Sequence, residues 1–221
     1  MSPSARRRLA GLTLLAWLPL GLVWAIVWPE NPEESAAVFS SAAAHPGAWE
    51  LAASLFALAF LLALPGLIAV PGLVDDRRGG RLALIGTVLA VAGFVGDVVA
   101  GSFSVLLSVL SVRPDRAQMI DVWDTFGARP ATLVTVVLIL LGHLGLILLA
   151  FGLRRAHVVG WWVPAAITAG MLVETVLGTS GHASVATVAL TGAGLVGVAR
   201  ALLTAAPHPV PAQRAGATAD V

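Results

Sequence analysis

The stretch that decides the fold is residues 131–152, ATLVTVVLILLGHLGLILLAFG. It contains no acidic or basic side chain apart from His143. A helix of this length rises about 1.5 Å per residue and crosses the roughly 30 Å of hydrocarbon in a bilayer. We therefore interpret this stretch as a transmembrane helix.

Five further stretches of the chain are similarly long and apolar: residues 9–28, 49–70, 82–108, 160–180 and 183–203. Numbered along the chain, with residues 131–152 as span 4, they give six spans. The sequence thus predicts an all-α fold, a polytopic transmembrane helix bundle that forms one domain over residues 1–203. The Pro/Ala-rich residues 204–221 are predicted to be a disordered cytoplasmic tail.

The composition supports a lipid environment. Only 11% of the 221 residues are charged and 58% are hydrophobic, whereas soluble domains carry about 25% charged residues. The chain has no cysteine, which excludes disulfides, thiolate metal sites and cysteine nucleophiles. Its basic residues are few and scattered, so no nucleic-acid partner is predicted.

The arginines predict the orientation, because positively charged loops stay in the cytoplasm. The first span follows Arg6, Arg7 and Arg8, and it is too long for a signal peptide and lacks a cleavage site directly after it. An inside N-terminus places ten of the 13 arginines in the cytoplasm, all except Arg113, Arg116 and Arg129. We therefore expect both termini inside, in the cytoplasmic membrane of a bacterium with a GC-rich genome.

The two longer external loops show helical patterns. In residues 113–130, the apolar side chains Met119, Trp123 and Phe126 recur at helical spacing. This predicts a short amphipathic helix at the outer interface and makes these three residues candidates for a partner interface. Residues 32–44 are expected to form a second short helix.

Ionisable groups inside the spans are the candidate functional residues, because they are costly in lipid and usually face protein or a water-filled cavity. They are Asp97 in span 3, His143 in span 4 and Glu174 in span 5, with His182 at the outer end of span 6. Asp97 and Glu174 lie at similar depth, roughly 20–24 Å from the cytoplasmic ends of their helices. We expect Asp97, Glu174 and His182 to converge in an outward-facing polar pocket.

Each of these residues also has a structural interpretation. A carboxyl group bonded to a neighbouring hydroxyl would simply hold two helices together. His143 would either form a hydrogen bond between helices or act as a haem or metal ligand. Gly93 and Gly170 precede the two acids by one turn and belong to stripes of small residues that allow close helix packing. The seven tryptophans lie mostly near span ends, which is typical of an aromatic belt.

Known enzyme motifs are missing from the sequence. It contains no Gly-Lys-Ser/Thr phosphate loop, no His-Glu-x-x-His and no Gly-x-Ser-x-Gly. Enzyme chemistry is therefore unsupported and no cofactor is predicted, although Asp97, Glu174 and His182 remain open as an intramembrane metal site.

The chain resembles small six-span membrane proteins of unknown function in high-GC bacteria. The features that carry the resemblance are the RRR-led first span at residues 6–8, the AAHPGAW segment at residues 43–49 and the Gly-rich third span. The resemblance implies the architecture and no particular activity.

Three functions stay open at this point. The first is a small transporter or ion- or proton-coupled protein that uses Asp97 and Glu174. The second is a non-enzymatic accessory protein that binds a membrane partner through its external segment. The third is an intramembrane metal or haem protein. Six spans in 221 residues leave little room for a large transport pathway within one protomer, which favours a homo-oligomer.

Overall fold

A computed structural model describes residues 2–29, 34–74, 79–177 and 181–205 of the chain. About nine tenths of these residues are helical, and they contain no strand. The α-helices are α1 (Pro3–Val27), α2 (Ser35–Ala44), α3 (Pro46–Ala69), α4 (Gly80–Ser111), α5 (Arg116–Gly127), α6 (Pro130–Arg155), α7 (Trp162–Leu177) and α8 (Gly181–Thr204). The predicted all-α class is confirmed. Most of the predicted tail lies outside the described residues.

Five helices are long and apolar enough to cross a membrane: α1, α3 with the short 3-10 helix that follows it, α4, α6 and α8. The fifth predicted span contains a shorter apolar helix, α7, of which 16 residues are described. These residues span about 24 Å. The helix begins at Trp162 instead of residue 160, after a turn in which His157 has a φ of 59°. The predicted end of this span, residues 178–180, is outside the described residues.

The six apolar helices form a closed ring. Each packs against the next one along the chain, in the order α1, α3, α4, α6, α7 and α8, and α8 packs against α1. The contact between α6 and α7 is the least extensive of the six. The outer surface of the ring is apolar, with Leu133, Val134 and Leu140 more than half exposed. Such a surface suits lipid, and this is a multi-pass membrane protein.

The contact between α4 and α6 depends on glycine. A methyl group built on Gly93 would lie 2.1 Å from the Cα atom of Gly142, and one on Gly145 would lie 2.3 Å from the backbone nitrogen of Ala90. Gly86 likewise faces the backbone of α6. The predicted small-residue stripe on the third span is therefore a real packing face, along which two helices meet almost backbone to backbone.

The short helices α2 and α5 cover one end of the ring, the end that is predicted to be external. Both predicted external helices are present in the described chain. Phe39 of α2 is fully buried beside Trp49 and Leu107, and Met119 and Trp123 of α5 pack against the same cluster. We call α2, α5 and this cluster the cap.

The contact between α1 and α8, which closes the ring, can be tested with an engineered disulfide. A methyl group built on Gly192 would lie 3.2 Å from the Cβ atom of Leu18, close to the roughly 3.5–4.5 Å that separates Cβ atoms in a disulfide. Because the chain has no other cysteine, we expect the Leu18→Cys/Gly192→Cys variant to form an intramolecular disulfide on mild oxidation. Mass spectrometry of proteolytic fragments detects the link.

A Leu12→Cys/Gly192→Cys variant is the control, because Leu12 is 56% exposed on the outer face of α1. Equal linkage in both variants would contradict the ring.

Candidate functional site

A cavity of about 270 Å³ lies inside the ring, in the half nearer the cap. All six apolar helices contribute to its lining. Its ionisable residues are Asp97, His143 and Glu174, from α4, α6 and α7. Three hydroxyl-bearing residues of α8 also line it, namely Ser184, Thr187 and Thr191.

The ionisable groups of the cavity are close to one another. His143 Nε2 lies 3.7 Å from Glu174 Oε2, and both side chains are about one quarter exposed. Asp97 is only 7% exposed, and its carboxyl group is near enough to Glu174 to interact with it electrostatically. No hydrogen bond to the Asp97 carboxyl group is found from the residues that the structure describes. Two acids and one imidazole thus share a small volume inside the membrane domain.

Glycine contacts place these side chains. Gly93 lies one helical turn before Asp97, and Gly142 immediately precedes His143. Because Gly93 and Gly142 meet at the α4–α6 crossing, the acid and the imidazole are brought to the same cavity. On α7, Gly170 lies one turn before Glu174, and a methyl group built on it would lie 2.3 Å from Thr191 Oγ1. The α7–α8 contact positions Glu174 in the same way.

Aromatic side chains also line the cavity. The aromatic wall consists of Trp17, Trp24, Trp28, Phe56, Phe60 and Phe94. Its rings touch one another edge to face, with centroids 5.0 Å apart for Trp24 and Phe56 and 4.7 Å apart for Phe60 and Phe94. Such pairs hold each other in fixed orientations. The wall is therefore a set of mutually packed aromatic side chains that lines the same cavity as the acids.

Several buried polar atoms around the cavity lack a partner. They are the indole nitrogens of Trp17 and Trp24 and the hydroxyl oxygens of Thr187 and Thr191, none of which has a hydrogen bond to the described residues. Buried polar groups are nearly always hydrogen-bonded, to protein, to water or to a ligand. All four atoms have almost no accessible surface, so they lie against neighbouring protein atoms and do not face the open space of the cavity.

The residues that line the cavity differ in part from those that the sequence predicted. Asp97 and Glu174 do share a cavity, as expected, but the imidazole beside them is that of His143. His182 is exposed near the start of α8 and does not line the cavity. No cluster of three or more acidic or histidine residues in metal-binding geometry occurs in the described part of the chain. The proposed set of Asp97, Glu174 and His182 is therefore not assembled as a metal site.

The sequence interpretation missed the aromatic wall. Trp17, Trp24 and Trp28 are separated by seven and four residues, a spacing that puts them on one face of a helix. Phe56 and Phe60 are also four residues apart. This helical spacing could have predicted a shared aromatic face. The tryptophans were interpreted as an interfacial belt instead, because most of them lie near span ends.

The candidate partner-interface residues face their own chain. Trp123 and Phe39 have ring centroids 6.4 Å apart, and Phe126 packs edge to face on Phe103 at 4.8 Å. Met119 lies against the buried cluster of the cap. All three side chains are partly buried in these contacts, and a role in binding another protein stays a prediction.

Comparisons with known proteins add no relative: no family model, no curated protein and no solved structure matches this chain. The resemblance to six-span bacterial proteins accordingly stays a prediction. The fold and the cavity by themselves define an all-α membrane protein with ionisable side chains at the centre of its helix ring.

Proposed function

We propose that this protein is a small ion- or proton-coupled membrane transport protein, in which Asp97 and Glu174 take up and release a cation inside the central cavity. One observation carries the proposal: acids from α4 and α7 and an imidazole from α6 line a single cavity. Packing does not account for Asp97, because the α4–α6 contact beside it is already made by glycine.

The physical argument rests on the cost of buried charge. A carboxylate held away from water needs a counter-cation, a proton or several hydrogen-bond donors. His143 lies beside Glu174, whereas Asp97 has no hydrogen-bonding partner among the described residues. A cation or a proton in the cavity would neutralise Asp97. The Asp97 and Glu174 charges repel each other, so binding of a cation to both and protonation of either would compete. Such competition is the basis of coupled exchange.

Proton flux into liposomes tests the proposal. The purified protein is reconstituted with a pH-sensitive dye inside, and a potassium gradient with valinomycin sets an inside-negative potential. We expect faster acidification than in protein-free liposomes. Asp97→Asn, which keeps the shape of the side chain, is expected to reduce the flux by about tenfold or more, because it removes an intramembrane charge carrier.

The matched control for this experiment is Glu50→Gln. Glu50 is an exposed acid near the start of α3 and does not line the cavity, so this variant should conduct like the wild type. Equal flux in the wild type, Asp97→Asn and Glu174→Gln would mean that the carboxyl groups serve packing. Flux no faster than in protein-free liposomes would overturn the proposal.

A further inference from the structure

We infer that the cavity binds a small organic cation, an alkylammonium group held by Asp97 and Glu174 together with the aromatic wall. This inference rests on the proposed function and names the class of its substrate. The juxtaposition that carries it is the presence, in the lining of one cavity, of two acids from α4 and α7 and of six aromatic side chains, most of them from α1 and α3.

The aromatic wall is what selects an organic cation. Faces of tryptophan and phenylalanine rings attract cations through their quadrupoles, and desolvated sites that recognise quaternary ammonium groups are built from several such rings. Six rings line this cavity, and Trp17 is only 3% exposed. An apolar wall of this extent would be of no use to a strongly hydrated ion, whereas it replaces the weak hydration shell of an alkylammonium group.

The polar groups are arranged unfavourably for an inorganic metal ion. Ca²⁺ takes about six to eight oxygen ligands and Mg²⁺ demands near-octahedral geometry. The described residues hold no group of three acids or histidines in metal-binding geometry. Asp97 and Glu174 supply charge instead of a coordination shell.

The volume of the cavity limits the size of its ligand. At about 270 Å³ it lies just below the roughly 300–1,000 Å³ of pockets for drug-sized molecules. One small ammonium compound with a few waters fills such a space. We therefore expect tetramethylammonium to bind and the much larger tetrabutylammonium to bind more weakly.

Thermal unfolding of the detergent-solubilised protein tests the inference, with tetramethylammonium chloride as the probe and sodium chloride at the same concentration as the reference. A ligand that binds only the folded state raises the melting temperature, so a rise with tetramethylammonium beyond that with sodium is expected. Trp24→Leu should weaken tetramethylammonium binding by about tenfold, as expected for the loss of one desolvated cation–π contact. Trp24→Phe retains a ring and should weaken it less.

Two variants complete the test. Asp97→Asn should abolish the specific rise. Trp161→Leu should leave it unchanged, because Trp161 is 61% exposed at the other end of the ring and lies outside the cavity. Equal shifts with sodium and tetramethylammonium in the wild type would overturn the inference, as would an unchanged affinity in Trp24→Leu. Proton flux without tetramethylammonium binding would refute the substrate class alone, whereas binding without proton flux would refute the proposed transport alone.

Discussion

Replacing Gly93 with alanine is expected to destabilise the protein severely. The added methyl group would lie 2.1 Å from the Cα atom of Gly142 and 3.1 Å from the carbonyl oxygen of Leu138. Both neighbours are backbone, which cannot rotate away as a side chain can, so α4 and α6 must separate. Overpacking of this kind costs about 3 kcal/mol or more, and the intrinsic preference of helices for alanine recovers only about 1 kcal/mol.

Thermal unfolding in detergent measures this effect, and for a chain of this size a net loss of about 2 kcal/mol lowers the melting temperature by roughly 4–8 °C. Gly47→Ala is the matched control, because Gly47 lies in the first turn of α3 and a methyl group there meets nothing within 4 Å. The control variant should melt at or slightly above the wild-type temperature. If Gly93→Ala is as stable as Gly47→Ala, the close α4–α6 crossing described above is wrong.

The membrane fold was largely predictable from local sequence. Long apolar stretches identify spans because a bilayer requires every backbone group to be bonded within its own helix. The short helix α5 followed from the spacing of Met119, Trp123 and Phe126. The start of α7 could not be predicted from the sequence, because residues 160–161 are as apolar as the helix that begins at Trp162. The closure of the ring between α1 and α8 depends on contacts of residues far apart in sequence, and a hydropathy pattern does not encode them.

The candidate site was predictable in part. Asp97, His143 and Glu174 were evident because charge is rare inside spans. Their partners were not evident, because depth along an axis does not give the rotation of one helix against another. His182 was therefore expected beside the acids, where the structure has His143. The aromatic wall was missed because the sequence position of a tryptophan near a span end fits both an interfacial belt and a cavity lining.

A thiol placed in the cavity is expected to react much faster with a cationic reagent than with an anionic one, because the cavity contains two acids. Ser104 lines the cavity and is partly buried, and its hydroxyl group donates a hydrogen bond to the carbonyl oxygen of Ala100, at 3.2 Å. Cysteine is close to serine in size, so Ser104→Cys should fold. Since the chain has no cysteine, the new thiol would be the sole target of thiol reagents. A cation about 4 Å from a carboxylate gains roughly 4 kcal/mol at an effective dielectric constant of about 20.

The most direct test of an acidic, cation-accepting cavity is the rate at which the Ser104→Cys thiol reacts with two methanethiosulfonate reagents, one bearing a quaternary ammonium group and one bearing a sulfonate. Gly47→Cys, at an exposed position, gives the intrinsic ratio of the two rates. We predict that the ratio at position 104 favours the cationic reagent by at least about tenfold over this reference, or about 1.4 kcal/mol, and that adding Asp97→Asn and Glu174→Gln returns it to the reference. An unchanged ratio at position 104, or a preference for the sulfonate, would contradict the account.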